Sequence, residues 1–270
     1  MIEESMMHRP SIILTNDDGI EASGIKALWD ALHEANFADL FIVAPLVERS
    51  GTGVSITWDR PMLIQERQWP ANTPAWSVDG TPADCIKMGM RILLKKKPDF
   101  IISGINAGSN AGRNVLHSGT IGGVIEGVLR GIPGIAFSCE DGGNPNFHVA
   151  KKYIIPIVRY LMEYPLPPGN FLNVNFPQTA KDKVKGFHLT SQGRGRWSEN
   201  PYFHIQTDDG PSYWLGGKSE ELAEEKDCDI ALLKQGYLTA VPIQIQELTN
   251  HHELNSRKKT FEDYLSNLIE

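Results

Sequence analysis

The sequence predicts an α/β protein in which helices cover both faces of a mostly parallel sheet. Short apolar runs of strand length alternate with segments of helical periodicity through most of the chain. A repeated strand–helix–strand order implies parallel strands joined by right-handed crossovers, and hence a doubly wound sheet. A substantial core is expected, because 41% of the 270 residues are hydrophobic.

The first half of the chain contains strands and helices in alternation. The strands are short runs of consecutive apolar residues, and the helices repeat apolar residues at helical spacing. In chain order, we predict a strand at 12–14, a helix with Ile25, Leu28, Trp29 and Leu32 on its apolar face, a strand at 40–44, a helix at 83–94, a strand at 99–103, a helix with Ile121, Val124, Ile125, Val128 and Leu129 on its apolar face, and a strand at 134–138.

The second half of the chain is less regular. A helix is predicted at 153–162, where Pro156 should introduce a kink. The alternating pattern of 171–176 is typical of a strand, and 237–245 predicts a further strand that rejoins the sheet. Apolar residues at helical spacing in 260–269 predict a terminal helix that needs a surface to pack against.

Residues 193–226 differ in composition from the rest of the chain. Aromatic residues and arginines lie here among Gly, Asp and Glu, which predicts a protruding β-hairpin arm that binds a partner. The alternative is a surface insertion without a partner. We expect a single domain over 1–270, with a core at about 10–192 and 227–248, this arm, and a C-terminal helical tail at 249–270.

The most informative motif lies at the end of the first predicted strand. The apolar run 12–14 gives way abruptly to the polar sequence Thr15-Asn-Asp-Asp-Gly19. Adjacent carboxylates at the mouth of a buried strand repel each other, unless a cation lies between them or one is protonated. The carboxyl ends of strands in open parallel sheets are also where ligands bind. Asp17 and Asp18 therefore predict a divalent-metal site; the simpler interpretation is a helix N-cap and a solvated turn.

Two further segments are expected at the same edge of the sheet. In Ser103-Gly-Ile-Asn-Ala-Gly-Ser-Asn110, glycines allow close backbone approach and the Asn106 amide oxygen suits a hard cation. A plain Gly-rich turn is the alternative. The sequence His117-Ser-Gly-Thr120 precedes a predicted helix, and Ser118 and Thr120 are good N-cap residues. Free amides at a helix start bind anions, so a phosphate group fits here, although the segment also serves as a simple cap.

Other segments carry weaker signals. The loop Arg49-Ser-Gly-Thr-Gly53 supplies a charge on Arg49 and a neutral oxygen on Ser50, although such loops are often plain connectors. The segment Gly80-Thr-Pro-Ala-Asp-Cys85 has the N-cap, proline and acidic residue of a well-formed helix start, and no chemistry is assigned to it. His117 is a candidate acid or base; the alternative is an ordinary surface histidine.

Composition and missing motifs disfavour several functional classes. A net charge of −7 argues against binding of duplex nucleic acid, which needs a basic face. Three cysteines without metal-finger spacing do not predict a disulfide framework. We expect a cytoplasmic protein without membrane contact, because no apolar run approaches the roughly 18 residues of a membrane span and the first residues are acidic. The sequence also lacks GxSxG, HExxH and GxGxxG motifs, so serine hydrolases, zinc proteases and dinucleotide enzymes are disfavoured.

Taken together, these segments resemble the SurE family, the survival-protein nucleotidases that remove phosphate from nucleoside monophosphates. The matching blocks occur in the family's order and span residues 12 to about 177. They are Thr15-Asn-Asp-Asp-Gly19, Ala44-Pro45 with Arg49-Ser-Gly51, Gly80-Thr-Pro-Ala-Asp-Cys85, Ser103-Gly-Ile-Asn-Ala-Gly108, Ser118-Gly-Thr120 with Glu126-Gly127, and Asn173-Val-Asn-Phe-Pro177.

The resemblance implies a Rossmann-like core and a phosphomonoesterase that releases nucleoside and phosphate. It implies one divalent metal ion per subunit, Mg²⁺ or Mn²⁺, and dimers or tetramers formed through C-terminal segments and a hairpin arm. Asp17 and Asp18 would be the catalytic residues. Carried over residue by residue, the implied metal ligands are Asp17, Asp18, Ser50 and Asn106, and the implied phosphate-binding residues are Asn106, Ser118, Gly119 and Thr120.

The chain departs from the family pattern at three places. Leu46-Val-Glu48 lacks the Asp that often follows Ala-Pro, Gly112-Arg-Asn114 replaces acidic residues, and His117 replaces an aromatic residue. These departures are expected to affect substrate preference or activity level, and they leave the metal ligands intact.

Two alternative functions remain at this stage. A receiver-type signalling module also begins with a strand that ends in paired aspartates around Mg²⁺, but the phosphoacceptor aspartate and the later lysine are missing at the predicted strand ends. A nucleotide-binding protein without catalytic activity is the second alternative, because the same pocket would serve it.

Overall fold

A nine-stranded, mostly parallel sheet with helices on both faces forms the body of the protein and confirms the predicted α/β class. The structure is a computed structural model that describes residues 9–140, 145–178, 183–198, 200–220 and 222–266.

The strands and helices follow one another in the alternation that the sequence predicts. The strands are β1 Ser11–Thr15, β2 Asp39–Pro45, β3 Ile64–Glu66, β4 Ala75–Val78, β5 Phe100–Ala107, β6 Gly134–Cys139, β7 Asn170–Phe176, β8 Phe187–Leu189, β9 Arg196–Ser198, β10 Tyr202–Thr207, β11 Gly210–Trp214, β12 Lys218–Glu220 and β13 Leu238–Gln244. The helices are α1 Ser23–Ala35, α2 Pro82–Met88, α3 Gly119–Val128, α4 Phe147–Glu163, α5 Asp229–Lys234 and α6 His251–Ser266. Short 3₁₀ turns lie at Pro70–Asn72 and Gly112–Leu116, and a π-helical turn at Gly89–Leu93 continues α2.

The order of the strands determines where a ligand can bind. The main sheet runs β3-β4-β2-β1-β5-β6-β7-β13-β8, and its six strands from β4 to β7 are parallel. This is the 3-2-1-4-5-6 order of a Rossmann-like sheet, in which the chain reverses its direction of winding between β1 and β5. A crevice opens at such a reversal, at the carboxyl ends of the two strands.

The central strands are buried on both faces. Alternate residues of β1 point to opposite sides, so that Ile12 contributes to the core beneath α1 and α4 whereas Ile13 contributes to the core beneath α2. Around α3 a third cluster includes Val124 and Phe171. Each face of the sheet therefore has its own apolar core. Strands β1 and β5 are packed between these two cores.

Local sequence signals for helix starts are confirmed. Thr81 is the N-cap of α2, and the reciprocal hydrogen bonds between Thr81 and Asp84 form a capping box. Ser118 is the N-cap of α3, where its hydroxyl accepts a hydrogen bond from the N–H of Ile121.

Two elements differ from the prediction. Strand β5 does not end at Ser103 but continues to Ala107 with a register irregularity between 103 and 106, so Asn106 belongs to the strand. Helix α4 begins at Phe147, earlier than predicted, and contains Pro156 as predicted. The buried side chains on both sides of Pro156 pack against the sheet, and this packing holds the helix together where the backbone hydrogen bond is lost.

The arm is a β-hairpin, as predicted. β9 pairs with β12 at its base and β10 pairs with β11 farther out, both antiparallel. β13 pairs antiparallel with β7 and so rejoins the main sheet. None of the described side chains of α6 is buried, and the predicted end of this helix at 267–269 lies outside the described residues. No helix within the described ranges has the length and apolar character needed to span a membrane.

Glycines allow α3 to approach its neighbours closely. A Cβ atom on Gly122 would collide with the backbone oxygen of Gly53, in the loop that follows β2. A Cβ atom on Gly127 would instead collide with the terminal methyl group of the Ile101 side chain. The first neighbour is fixed backbone and the second is the end of a flexible side chain, so the two positions differ in how well they tolerate a methyl group.

We predict that Gly122→Ala lowers the free energy of unfolding by about 1–3 kcal/mol, because the loop at Gly53 must move away from α3. Gly127→Ala is the matched control in the same helix. Both variants gain about 1 kcal/mol from the higher helix propensity of alanine, and the net cost at Gly127 should be smaller because Ile101 can change rotamer. Denaturant unfolding of both variants measures the difference. An equal or larger loss in Gly127→Ala would contradict this account.

Candidate active site

The candidate site lies at the carboxyl ends of β1 and β5, where the winding of the sheet reverses. Asp17 and Asp18 follow β1 directly, and Asn106 lies in the last residues of β5. The N-terminus of α3, which begins at Ser118, meets the same edge. Residues that are far apart in sequence therefore converge on one crevice.

Asp17 is the most constrained of these residues. Its side chain is 3% exposed, and its Oδ1 accepts a hydrogen bond from the hydroxyl of Thr120. The backbone N–H groups of Gly119 and Thr120 also face this carboxylate. Burial raises the pKa of the Asp17 carboxyl above its ordinary value, and the hydrogen bonds from Thr120 and Gly119 oppose that rise only in part.

The start of α3 packs directly onto Asp17. A Cβ atom on Gly119 would lie 2.8 Å from the Cβ of Asp17 and 2.9 Å from Oγ1 of Thr52, so only glycine fits between them. The sequence predicts a phosphate group at these helix-start amides, whereas the structure places the protein's own Asp17 carboxylate against them. Ser118 caps the helix, and Thr120 is fully buried. Their role in phosphate binding stays a prediction.

Asp18 links the two strand ends. It is half-buried, and its Oδ2 accepts a hydrogen bond from the N–H of Ala107 at 3.1 Å. Next to Ala107, the amide nitrogen of Asn106 donates to the backbone oxygen of Gly108 at 2.8 Å. This bond fixes the orientation of the Asn106 amide and places its carbonyl oxygen on the opposite side of the side chain.

The loop that carries Ser50 is tied to the site through its backbone. The N–H of Arg49 donates to the backbone oxygen of Asp17 at 2.6 Å, and the N–H of Gly53 donates to the oxygen of His117 at 2.9 Å. The hydroxyl of Ser50 itself is exposed and donates to Glu48 Oε1 at 2.8 Å. The structure thus brings the Ser50 loop to Asp17 and directs the hydroxyl to Glu48; its role as a metal ligand stays a prediction.

Two parts of the site were not predicted from the sequence. Asn16 is fully buried, its amide nitrogen donates to the backbone oxygen of Gly19 at 2.8 Å, and its side-chain oxygen is buried without a protein partner in the described chain. Asp79 forms ion pairs with both Arg49 and Arg60, each at 2.9 Å. Asn16 could have been noticed in the sequence, because it is a polar residue directly after an apolar strand. The ion pairs of Asp79 could not, because its partners Arg49 and Arg60 are distant in sequence.

The donor set suits a hard divalent cation. In the described part of the chain no three His, Cys, Asp or Glu side chains cluster as a metal site, so a metal here would need amide or hydroxyl oxygens in addition to two carboxylates. Asp17 and Asp18 supply negative charge, and Asn106 and Ser50 supply neutral oxygens, which are the ligand types that Mg²⁺ and Mn²⁺ prefer. Asp17 is buried and takes part in none of the ion pairs within the described ranges, as expected for a carboxylate whose counter-charge is a metal ion.

A model of the protein family described as "Survival protein SurE" matches residues 12–199 of the chain. The chain belongs to the SurE family. The match covers every segment of the site, from the strand before Asp17 to the first residues of the arm. These segments therefore occur together as parts of one family fold.

Curated relatives and a solved structure extend the similarity over nearly the whole chain. A protein of Protochlamydia amoebophila named 5'-nucleotidase SurE is 46% identical over 263 residues, which cover 97% of this chain and 100% of the relative. A protein of the same name from Pelotomaculum thermopropionicum is 40% identical and covers 92% of this chain and 94% of the relative. The crystal structure of the SurE protein from Aquifex aeolicus is 34% identical, with a TM-score of 0.78 over 93% of this chain and 99% of that one.

Membership of the SurE family does not favour the receiver-type alternative. The similarity to relatives named as nucleotidases covers the whole of the sheet, including β7 and β13, rather than a single short module. A SurE nucleotidase is therefore the better interpretation of the paired aspartates.

We predict that Asp17→Asn does not destabilise the metal-free protein at neutral pH. Because the folded-state pKa is raised above 3.8, the folded chain holds the Asp17 proton more tightly than the unfolded chain, and ionisation lowers the free energy of unfolding as the pH rises. Asparagine removes this penalty, and its amide oxygen can accept from the helix-start N–H groups while its NH₂ group donates to the hydroxyl of Thr120, which can also accept. Denaturant unfolding with a chelator should show Asp17→Asn at least as stable as the native protein, with a difference that disappears as the pH falls towards 3.8.

Asp30→Asn, on α1, is the control for this measurement because its side chain is 49% exposed. Asp30→Asn removes an exposed ion pair with Lys151, so this variant should be as stable as the native protein or at most about 1 kcal/mol less stable, and not more stable. A lower free energy of unfolding for Asp17→Asn than for the native protein at neutral pH would contradict the prediction.

Proposed function

We propose that this chain is a metal-dependent phosphomonoesterase that hydrolyses nucleoside monophosphates to nucleoside and phosphate. The observation that carries the proposal is the convergence of Asp17, Asp18 and Asn106 on the N-terminus of α3 at the reversal point of the sheet. Such a site offers carboxylates for a cation and helix amides for a phosphate. The names of the relatives, 5'-nucleotidase SurE, support the same reaction.

One divalent ion per chain, Mg²⁺ or Mn²⁺, would be held by Asp17, Asp18, Ser50 and Asn106. When bound, it would supply Lewis-acid charge to the phosphoryl oxygens and to the attacking water.

The chain's own residues position and stabilise the reacting groups. Thr120 and Gly119 hold Asp17 in one orientation, and Ala107 does the same for Asp18. We assign the orientation and deprotonation of the attacking water to Asp17 or Asp18. In the metal-free chain, burial raises the pKa of Asp17 above its ordinary value, so this carboxylate accepts a proton more readily than an exposed aspartate does. The amides at the start of α3 favour negative charge on the phosphate.

We predict that Asp17→Asn reduces hydrolysis of AMP and of p-nitrophenyl phosphate by about 100-fold or more, because it removes a metal ligand and a proton acceptor. Phosphate release with added Mg²⁺ or Mn²⁺, and again with a chelator, measures the loss. Asp18→Asn should act similarly, and Asp30→Asn, which lies on α1, should retain native turnover. Full activity of Asp17→Asn with either metal would reject the proposal.

The same assay separates the enzyme from a nucleotide-binding protein without catalysis. A panel of nucleoside monophosphates, tested for both binding and turnover, should show phosphate release with every bound substrate. Saturable binding of AMP with no phosphate release would favour the non-catalytic alternative.

We further propose that the chain forms a homodimer or a homotetramer. Large apolar side chains on the arm are more than half exposed, and α6 also has several exposed large apolar side chains. Two-stranded ribbons and isolated helices are marginally stable in water, so both elements need a partner surface. The exposed residues are Trp197, Tyr202, Phe203, Ile205, Tyr213 and Trp214 on the arm and Leu254, Phe261, Tyr264 and Leu265 on α6.

We predict that charged substitutions on these surfaces dissociate the oligomer. Ile205→Asp on the arm and Phe261→Asp on α6 would place a carboxylate in an apolar interface, so light scattering should give a smaller mass than for the native protein. Lys259→Ser, on α6, is the control and should keep the native mass. A native protein that is monomeric at micromolar concentration would contradict the proposal.

A further inference from the structure

A fully buried carboxylate outside the candidate active site joins three separate parts of the chain. Asp229 begins α5, and its Oδ1 accepts hydrogen bonds from the N–H of Gly193 at 2.7 Å and of Ile230 at 2.8 Å. Its Oδ2 accepts from the N–H of Gly112 at 3.0 Å. One side chain therefore connects α5, the base of the arm and the 3₁₀ turn at Gly112–Leu116.

The 3₁₀ turn belongs to the segment 107–118, which connects two parts of the active site. The segment begins directly after Asn106 at the end of β5 and ends at Ser118, the N-cap of α3. Any movement of this segment would shift the Asn106 amide or the helix amides relative to Asp17. Its path is set by contacts from elsewhere in the chain.

On one side, buried amides attach the segment to the sheet. The N–H of Asn110 donates to Asn175 Oδ1 at 2.8 Å, and the Asn110 side chain donates to Ser138 Oγ at 2.7 Å. The side chain of Asn173 donates to the backbone oxygen of Asn110 at 2.9 Å. These bonds fix the segment at Asn110, two residues before Gly112.

On the other side, the base of the arm attaches the segment. Three hydrogen bonds join residues at the base of the arm to residues of the 3₁₀ turn. Gln192 Nε2 donates to the oxygen of Gly112, the N–H of Arg113 donates to the oxygen of Gly195 at 2.8 Å, and the N–H of Trp197 donates to Asn114 Oδ1 at 2.9 Å.

Asp229 is the residue that holds this arrangement together, because it binds both Gly112 and Gly193. Burial raises the pKa of its carboxyl, so an ionised side chain here is costly. A neutral residue would avoid that cost. The carboxylate instead provides acceptors for three backbone N–H groups that would otherwise be buried without partners.

We propose that Asp229 is a positioning residue of the active site, which fixes the segment 107–118 so that Asn106 and the start of α3 face Asp17. The inference rests on the proposed function of that site. A positioning role differs from a general role in stability. Loss of the bond between Asp229 and Gly112 should alter the segment 107–118 and the active site while the rest of the fold stays intact.

The variant Asp229→Asn tests the connection selectively. Its amide oxygen keeps an acceptor for Gly193 and Ile230, whereas its NH₂ group replaces Oδ2 and faces the N–H of Gly112, so two donors oppose each other. Glu224→Gln is the matched control. Glu224 accepts hydrogen bonds from the N–H groups of Arg194 and Gly195 at the base of the arm, without a bond to the segment 107–118.

Three measurements on the full-length variants distinguish positioning from stability. Hydrogen exchange of the amides in 107–118 should be faster in Asp229→Asn, the Kd for Mn²⁺ should rise by about tenfold, and kcat for AMP should fall by about tenfold with a smaller change in KM. Glu224→Gln should resemble the native protein in all three. A simple loss of folded protein would lower the number of Mn²⁺ ions bound per chain and leave the Kd unchanged.

Native exchange, Kd and kcat in Asp229→Asn would overturn the proposal. If this variant does not fold, Gln192→Ala removes another bond to Gly112 at a half-buried position, and native exchange and native Mn²⁺ affinity in Gln192→Ala would overturn it instead. If the native protein binds Mn²⁺ but does not hydrolyse AMP, the proposed function fails. The exchange and affinity measurements still decide the role of Asp229 in that case.

Discussion

The arrangement of the site depends on the burial of one carboxylate, Asp17, against the start of α3. No described cationic side chain forms an ion pair with Asp17, and the buried carboxylate is stabilised by a hydroxyl from Thr120 and two helix-start amides that approach it. This interaction joins the end of β1 to the beginning of α3. It therefore sets the distance between the two aspartates and the helix amides, and it excludes any side chain at Gly119.

A second set of polar contacts lies around the segment 107–118, outside the contact between Asp17 and α3. Buried asparagines on β7 and on the segment after β5 hydrogen-bond to one another. Asp229 performs the same function on the opposite side of that segment. Each member has partners, so the network avoids the cost of unpaired buried groups and holds the backbone in a single path. These contacts attach both sides of the segment between β5 and α3 to the rest of the fold.

The sequence predicted those features whose signals are local. The N-caps Thr81 and Ser118, the alternation of strands and helices, and the placement of Asp17 and Asn106 at strand ends all depend on neighbours within a few residues. The contact of Thr120 with Asp17 and the bond of Gly112 to Asp229 join residues more than one hundred positions apart, and no short pattern contains them. The extension of β5 to Ala107 and the earlier start of α4 were missed because tertiary packing overrides local preference.

The position of β1 has a consequence for how the chain is made. β1 leaves the ribosome before the other described strands, yet it lies in the middle of the sheet between β2 and β5, and all of its residues are buried. One edge of this apolar strand stays without its neighbour until Phe100 and the residues after it have been synthesised. During that interval the nascent chain exposes an open strand edge of the kind that pairs with other chains.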